Sequence, residues 1–291
     1  MRAMAALSIA SIGPLASRRS RLRYWAVILL GLAATGILAV GFFAPLLAPR
    51  DPDALNIASP LQPPSRGAWF GTDETGRDIL SRTIWGTRVS LLSAAGVLLI
   101  AVSVGLIVGS VAGYRGGFVD EVLMRVTDLF LAFPGLILAI AMTAALGPSL
   151  RNAVISLGVV WWPLYARLVR SRVVTVKENL YVEAARALGL SESRILVRHV
   201  FPQCWGTVMS RVTVDIGYAI ILTASLSFLG LGSQPPTADW GGMIATSRPY
   251  FFSYWWTVTF PGLAMFATVV VFSFLGDGLY ETFGLRGERY I

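Results

Sequence analysis

From Val89 to Tyr114 the chain reads VSLLSAAGVLLIAVSVGLIVGSVAGY, without a single charged residue. A helix rises about 1.5 Å per residue and the hydrocarbon core of a bilayer is about 30 Å thick, so about 20 apolar residues suffice to cross it. The stretch exceeds that length and reads as a membrane-spanning helix.

Five further runs extend the pattern outward: Tyr24–Ala48, Val122–Leu146, Asn152–Val169, Val208–Leu231 and Trp255–Leu275. Arg125 and Asp128 interrupt the third span of the six, Pro163 lies within the fourth, and Arg211 and Asp215 interrupt the fifth. Proline is tolerated in membrane helices where neighbours satisfy the freed carbonyl. Composition agrees with the count of spans. Of the 291 residues, 55% are hydrophobic and only 14% charged, against about 25% charged in soluble domains. The expected fold is all-α, a polytopic bundle of six membrane helices.

The net charge of +8 does not point to nucleic acid, because the basic residues fill the gaps between apolar runs. There they act as orientation signals. With the N-terminus inside, 17 of the 24 Lys and Arg residues fall on the inner side and 7 on the outer. Both termini are then cytoplasmic. The outer loop 49–88 strains the rule, since Arg50, Arg66, Arg77, Arg82 and Arg88 all lie in it, balanced by Asp51, Asp53, Asp73, Glu74 and Asp78. Arg18-Arg19 suggests a twin-arginine signal, but Arg21 follows where an apolar residue is needed and the next run is too long. Residues 1–20 therefore read as a disordered cytoplasmic tail, and 21–291 as the membrane domain.

Between spans four and five lies an inner loop, 170–207, too polar to span and too patterned for a plain linker. Lys177–Leu188 reads as one helix of good formers. Gly189 fits the position after a helix end, where glycine takes a left-handed turn cheaply. Ser191 fits an N-cap, with Glu192 near the positive end of the next helix dipole. Pro202 is expected to end that second helix. Ala184 and Ala185 remove bulk so that another surface can approach, Glu183 offers a charge and Leu188 an apolar anchor, as in a helix docking into a partner's groove. An amphipathic helix resting on lipid headgroups through Arg186, Arg194 and Arg198 fits the periodicity equally well.

Glu183-Ala184-Ala185, then Gly189 after three residues, then His199-Val200-Phe201-Pro202 after nine more, resembles the EAA motif of ABC-importer permeases, with His199 and Phe201 departing from its general Ile and Leu. Residues 70–82, FGTDETGRDILSR, are similar to a run of dipeptide and oligopeptide permeases, as are 227–236, SFLGLGSQPP, with Trp240-Gly241-Gly242-Met243-Ile244. The resemblance covers roughly residues 20–291 and fits the C-type subunit of the dipeptide/oligopeptide/nickel family, with a MetI-like fold. It implies that the loop carries the coupling helix, with Tyr181, Glu183, Ala184, Ala185, Arg186, Leu188 and Gly189 meeting an ATPase. It implies four kinds of partner: a second homologous permease, two ATPase domains or subunits holding ATP and Mg, an extracytoplasmic peptide-binding protein meeting the 234–240 loop, and membrane lipid. The location implied is the cytoplasmic membrane of a prokaryote. Peptide is the first cargo, with nickel chelates or glutathione as alternatives.

Catalysis on this chain is not expected. A P-loop needs a lysine followed by Ser or Thr, and the sole lysine, Lys177, precedes Glu178. His199 is the only histidine and Cys204 the only cysteine, which leaves no metal cluster; they read as a helix-end residue and an apolar filler. A secondary transporter is the rival from another class, but no internal repeat of the kind such proteins show is visible. A membrane scaffold is a second.

Charges within spans cost about 2.5–3.5 kcal/mol each on insertion scales. Arg211 and Asp215, four apart, share a helix face. They are either a structural pair or transport-path residues. Arg125 and Asp128 are expected to pair with each other. Trp161, Trp162, Trp255 and Trp256 are expected to form an interfacial belt.

Overall fold

The computed structural model describes the backbone of residues 13–287 and the side chains of 24–279. Residues 1–12 of the expected tail lie outside the described residues, while 13–20 belong to the first helix. In chain order the helices are α1 (Gly13–Phe42), α2 (Ala44–Leu47), α3 (Ile79–Arg115), α4 (Gly117–Leu131), α5 (Gly135–Leu146), α6 (Leu150–Lys177), α7 (Leu180–Ala187) and α8 (Glu192–Ile195). A π-helical turn (Leu196–Val200) then leads into α9 (Phe201–Phe228), followed by α10 (Trp240–Ser247) and α11 (Trp256–Gly287). Among the described residues five helical stretches are long and apolar enough to cross a membrane, and α4 with α5, bent by 84°, makes a sixth when the pair is counted as one broken span. The chain is an all-α, multi-pass membrane bundle.

Several boundaries differ from the sequence expectation, each for a local reason. The second span starts ten residues early, inside the expected loop 49–88. Asp78 is extended, and its carboxylate accepts from the Ser81 N–H (2.8 Å) and hydroxyl (2.7 Å), which caps the first turn of α3. The third span is not continuous. Pro134 lacks an N–H and disfavours helical geometry in the residue before it, and α4 stops at Leu131. Lys177–Leu188 is not one helix. Span four runs on to Lys177, and Asn179, extended at φ −71° and ψ 143°, opens α7 afresh. Pro202 does not end a helix either. It sits just after the π-helical turn, and the helical run continues through it.

Helices α3 and α6 make the closest approach. Gly105, Gly109 and Gly113 lie four apart along α3; a Cβ on Gly105 would stand 2.4 Å from Tyr165 Cβ, and one on Gly109 2.4 Å from the Ala166 carbonyl. Small residues at this spacing let two backbones meet in a membrane. Helix α9 packs on α11 and α3, and α1 lies against α11 and α3.

Loop 49–78 is held by a buried polar knot at the end of the bundle away from residues 178–200. Asp73 accepts from the N–H of Thr75 (2.9 Å), the N–H of Arg77 (2.9 Å) and Arg77 Nε (2.7 Å). Arg82 Nη1 donates to the carbonyls of Pro52 (2.8 Å) and Pro236 (3.2 Å) and to Asp53 (3.3 Å). The tryptophan belt is corrected. Trp161 stacks on Tyr218 and Trp162 meets Phe130 edge-on, both buried at the middle of α6. Trp256 is buried and donates to the Thr72 carbonyl (3.4 Å). Of the four only Trp255 is exposed.

Candidate functional site: the loop between the fourth and fifth spans

Residues 178–200 form a helix, a sharp turn and a second helix at one end of the bundle. Helix α7 is amphipathic in a literal sense. Val182 and Ala185 are buried with Val176, Ile195 and Val200 in the core, while Tyr181, Glu183, Ala184 and Arg186 face outward. Leu180 and Leu188 are 82% and 83% exposed. The two alanines thus do different things. Ala184 is on the open face, and Ala185, expected there too, packs inside at 5% exposure.

The end of α7 closes as a Schellman motif. The Gly189 N–H donates to the Arg186 carbonyl (3.0 Å) and the Leu190 N–H to the Ala185 carbonyl (3.3 Å), which satisfies carbonyls that the helix end leaves open. Gly189 has φ +81°, and a Cβ there would meet nothing within 4 Å. Ser191 takes the N-cap position of α8, but its side chain makes no capping bond.

One tie joins this loop to the end of α3, through Tyr114 and Glu192, and a second joins the end of α6 to it, through Lys177. Arg186 Nε donates to Glu192 Oε1 (3.0 Å), and the Tyr114 hydroxyl donates to Glu192 Oε2. Lys177 Nζ donates to the Gly113 carbonyl (2.8 Å). The Glu183 N–H donates to the Asn179 carbonyl (3.2 Å), but its carboxylate makes no hydrogen bond or ion pair among the described residues. Its carboxylate stands in the first turn of α7, where the helix dipole favours negative charge. In the π-turn, His199 Nδ1 is buried without a partner. Cys204 is buried, its sulfur directed at the Val200 carbonyl (3.6 Å).

The second group of expected residues lies deeper. Asp215 is 4% exposed. Its Oδ2 accepts from Arg211 Nε (2.9 Å) and from the Tyr165 hydroxyl of α6 (2.8 Å). The expected pair on span five is therefore a three-residue cluster joining α6 to α9. Arg125 and Asp128 do not pair. Arg125 approaches Glu121 (3.7 Å), and Asp128 accepts from Arg167 Nη2 (2.6 Å). Asp120 takes both Nε and Nη2 of Arg170 (2.5 and 2.6 Å).

Tyr114, Tyr165 and Arg167 were missed from the sequence. For Tyr165 the available signal was a polar tip on a buried aromatic, which needs a partner, but nothing in the linear order says which carboxylate supplies it. Among the described residues no three His, Cys, Asp or Glu side chains gather as a metal site requires.

Comparison with known proteins agrees with this geometry. Residues 105–286 match the family described as binding-protein-dependent transport system inner membrane component. The chain is 40% identical over 245 residues to the probable D,D-dipeptide transport system permease protein DdpC of Escherichia coli K12, covering 84% of this chain and 82% of that protein. It is 40% identical over 233 residues to the nickel transport system permease protein NikC of the same organism, covering 80% and 84%. A chain of the MetNI methionine ABC transporter in an inward-facing conformation shares the fold, with TM-score 0.58 and 17% identity, over 70% of this chain and 97% of that one.

Proposed function

The chain belongs to the family of binding-protein-dependent transport system inner membrane components, the permease subunits of ABC importers, and from that premise we propose that it carries dipeptides and oligopeptides across the cytoplasmic membrane of a prokaryote. It does so with a second, homologous permease, two ATPase domains and an extracytoplasmic peptide-binding protein. Loop 178–200 and both termini are cytoplasmic. ATP and Mg are held by the ATPase partners and hydrolysis occurs there.

The observation that carries this reading is the open face of α7. Leu180 and Leu188 stand almost fully exposed on a short helix whose other face is anchored in the core. Burying one leucine side chain is worth about 1.5–3 kcal/mol, so a partner's groove that takes both gains a firm hold on the loop. Of the three arginines that suit a helix resting on lipid headgroups, Arg186 is engaged by Glu192, and Arg194 and Arg198 are exposed. When nucleotide binding closes the ATPases, α7 moves with them. Its roots at Val182 and Ala185 and the loop's tie to α3 pass that motion into the bundle, which alternates its access between the two sides.

Uptake of labelled dipeptide, tetrapeptide, glutathione and nickel in cells lacking the gene tests the reading, with wild type or Gly189→Asp restored. Peptide uptake returned by wild type and not by Gly189→Asp is the expected result. Nickel or glutathione uptake alone would change the cargo and keep the mechanism. Equal rescue by both versions would remove the coupling role from this loop.

A further inference from the structure

The third crossing is broken at a depth where lipid does not tolerate a break. Helix α4 ends at Leu131 and α5 begins at Gly135, at 84° to it. The break lies level with the middle of α6, since Phe130 meets Trp162 and Gly135 comes up against Val160. Those residues are 10 and 12 positions past Leu150, about 15–18 Å into a layer of about 30 Å. The N–H groups of Phe133, Gly135, Leu136 and Ile137 have no hydrogen-bond partner among the described residues. The segment is open as well, with Phe133 60% and Ile137 63% exposed. Non-helical backbone at membrane depth is sustained where it lines water or is buried in protein, not where it meets lipid.

An independent set of charges lies on the same side of the bundle. The Arg167–Asp128 ion pair is half-exposed, 53% and 52% by side chain, and Asp128 stands one turn before Ala132, whose N–H bonds to its carbonyl (2.9 Å). One turn along α6 from Arg167, Leu164 lines a cavity of about 160 Å³ together with Tyr165, Leu168 and Arg211. The Arg211 side chain is itself 52% exposed. Arg167 lies 17 residues past Leu150 and Arg211 17 residues before Phe228, about 25 Å by helix rise, still inside the hydrocarbon layer. Two half-exposed guanidinium groups at that depth, about 5 Å from the edge of the layer, have to reach water or the headgroup zone.

We infer that the face running from Arg211 and the Asp128–Arg167 pair to the break at Phe133–Pro134 is this chain's wall of the transport path. Water satisfies the four free donors when the path is empty. A peptide in transit offers carbonyl and carboxylate oxygens that match them, a detail that rests on the peptide reading above. The charged pairs form the mouth nearer the 178–200 loop, and the break forms the constriction at mid-depth.

Thiol accessibility tests this in the full-length chain, expressed with its native partner subunits. Cys204→Ala removes the only cysteine, and single cysteines then replace Phe133, Ile137, Leu32 or Phe266. Leu32 and Phe266 serve as exposed mid-span references on α1 and α11. A charged, membrane-impermeant thiol reagent is applied to membranes with and without vanadate-trapped nucleotide. Cysteines at 133 and 137 should react about tenfold faster than the references, as water contact requires, and trapping should change their rates. Rates equal to the references in both states would overturn the inference, as would protection at both positions in both states. Should Phe133→Cys fail to assemble, Ile137→Cys carries the test, with co-purification of the ATPase as the check on assembly. The readout needs no cargo, so a failure of peptide uptake would count against the cargo and leave this result standing.

Discussion

Gly189 separates two reasons for a glycine. Its φ is +81°, and the space where a Cβ would stand is empty, so replacing it strains the backbone without a clash. A left-handed residue other than glycine costs about 1–2 kcal/mol, least for Asn. Gly189→Ala should therefore lower both uptake and the ATPase co-purified with the permease, and Gly189→Asn should retain more of each; equal loss in the two would mean that the side chain collides with a partner. Asp239 carries a different expectation. It caps α10 through the Gly242 N–H (3.0 Å) and is buried, and burial holds its carboxyl above the usual carboxylate range. A carboxyl with a raised folded pKa contributes stability at low pH that is lost as pH rises through that value. The melting temperature of Asp239→Asn relative to wild type should accordingly climb as pH rises above the ordinary carboxylate range and then level off. A flat difference across pH would show that the carboxyl is not perturbed. At this scale the sequence was informative wherever the needed geometry was local, as at Gly189, and uninformative about Tyr165, whose partner Asp215 lies 50 positions away.

Three prolines show why elements were harder to bound than to detect. Pro134 separates α4 from α5, Pro163 lies within the continuous α6, and Pro202 sits just after the π-helical turn. The local rule is the same for all three, and the difference comes from what packs around each. The junction at Glu178–Asn179 carries neither Gly nor Pro, so a break there is invisible to composition, and the sequence pattern implies a longer helix than α7. Packing between elements gives a sharper test. Gly109 faces the Ala166 carbonyl and Val169, whereas Gly36 on α1 meets nothing within 4 Å. Gly109→Val should push α3 from α6 and cost about 1–3 kcal/mol, the usual penalty of overpacking. Gly36→Val should stay within about 0.5 kcal/mol, as exposed substitutions do. Thermal unfolding in detergent would compare them, and an equal loss in both would mean that the glycine stripe does not set the α3–α6 distance.

Across the whole molecule, α3 is the element that reaches both functional ends. Its 37 residues span about 55 Å. At one end Asp78 and Arg82 fix it in the polar knot, and the Thr83 carbonyl accepts from Trp240 Nε1 (3.0 Å). That knot also bears on the strain in the charge count, because Arg77 and Arg82 are buried against Asp73, Glu74 and Asp53 and are not free charges of the kind the orientation rule counts. At the other end Tyr114 and the Gly113 carbonyl hold Glu192 and Lys177. A push on the loop therefore reaches α3 directly, and through it the opposite face, without first bending α6 or α9. Combining Tyr114→Phe with Glu192→Gln removes the tie from α3 to Glu192 and the charge that pairs with Arg186, while leaving Leu180 and Leu188 exposed on α7. On the proposed coupling role, the double variant should still recruit the ATPase and hydrolyse ATP, but import less cargo per ATP than wild type. Measuring both rates in proteoliposomes containing the whole transporter gives that ratio. An unchanged ratio would assign transmission to α6 and α9 alone, and loss of ATPase binding would show that Glu192 supports the docking surface and not the strut behind it.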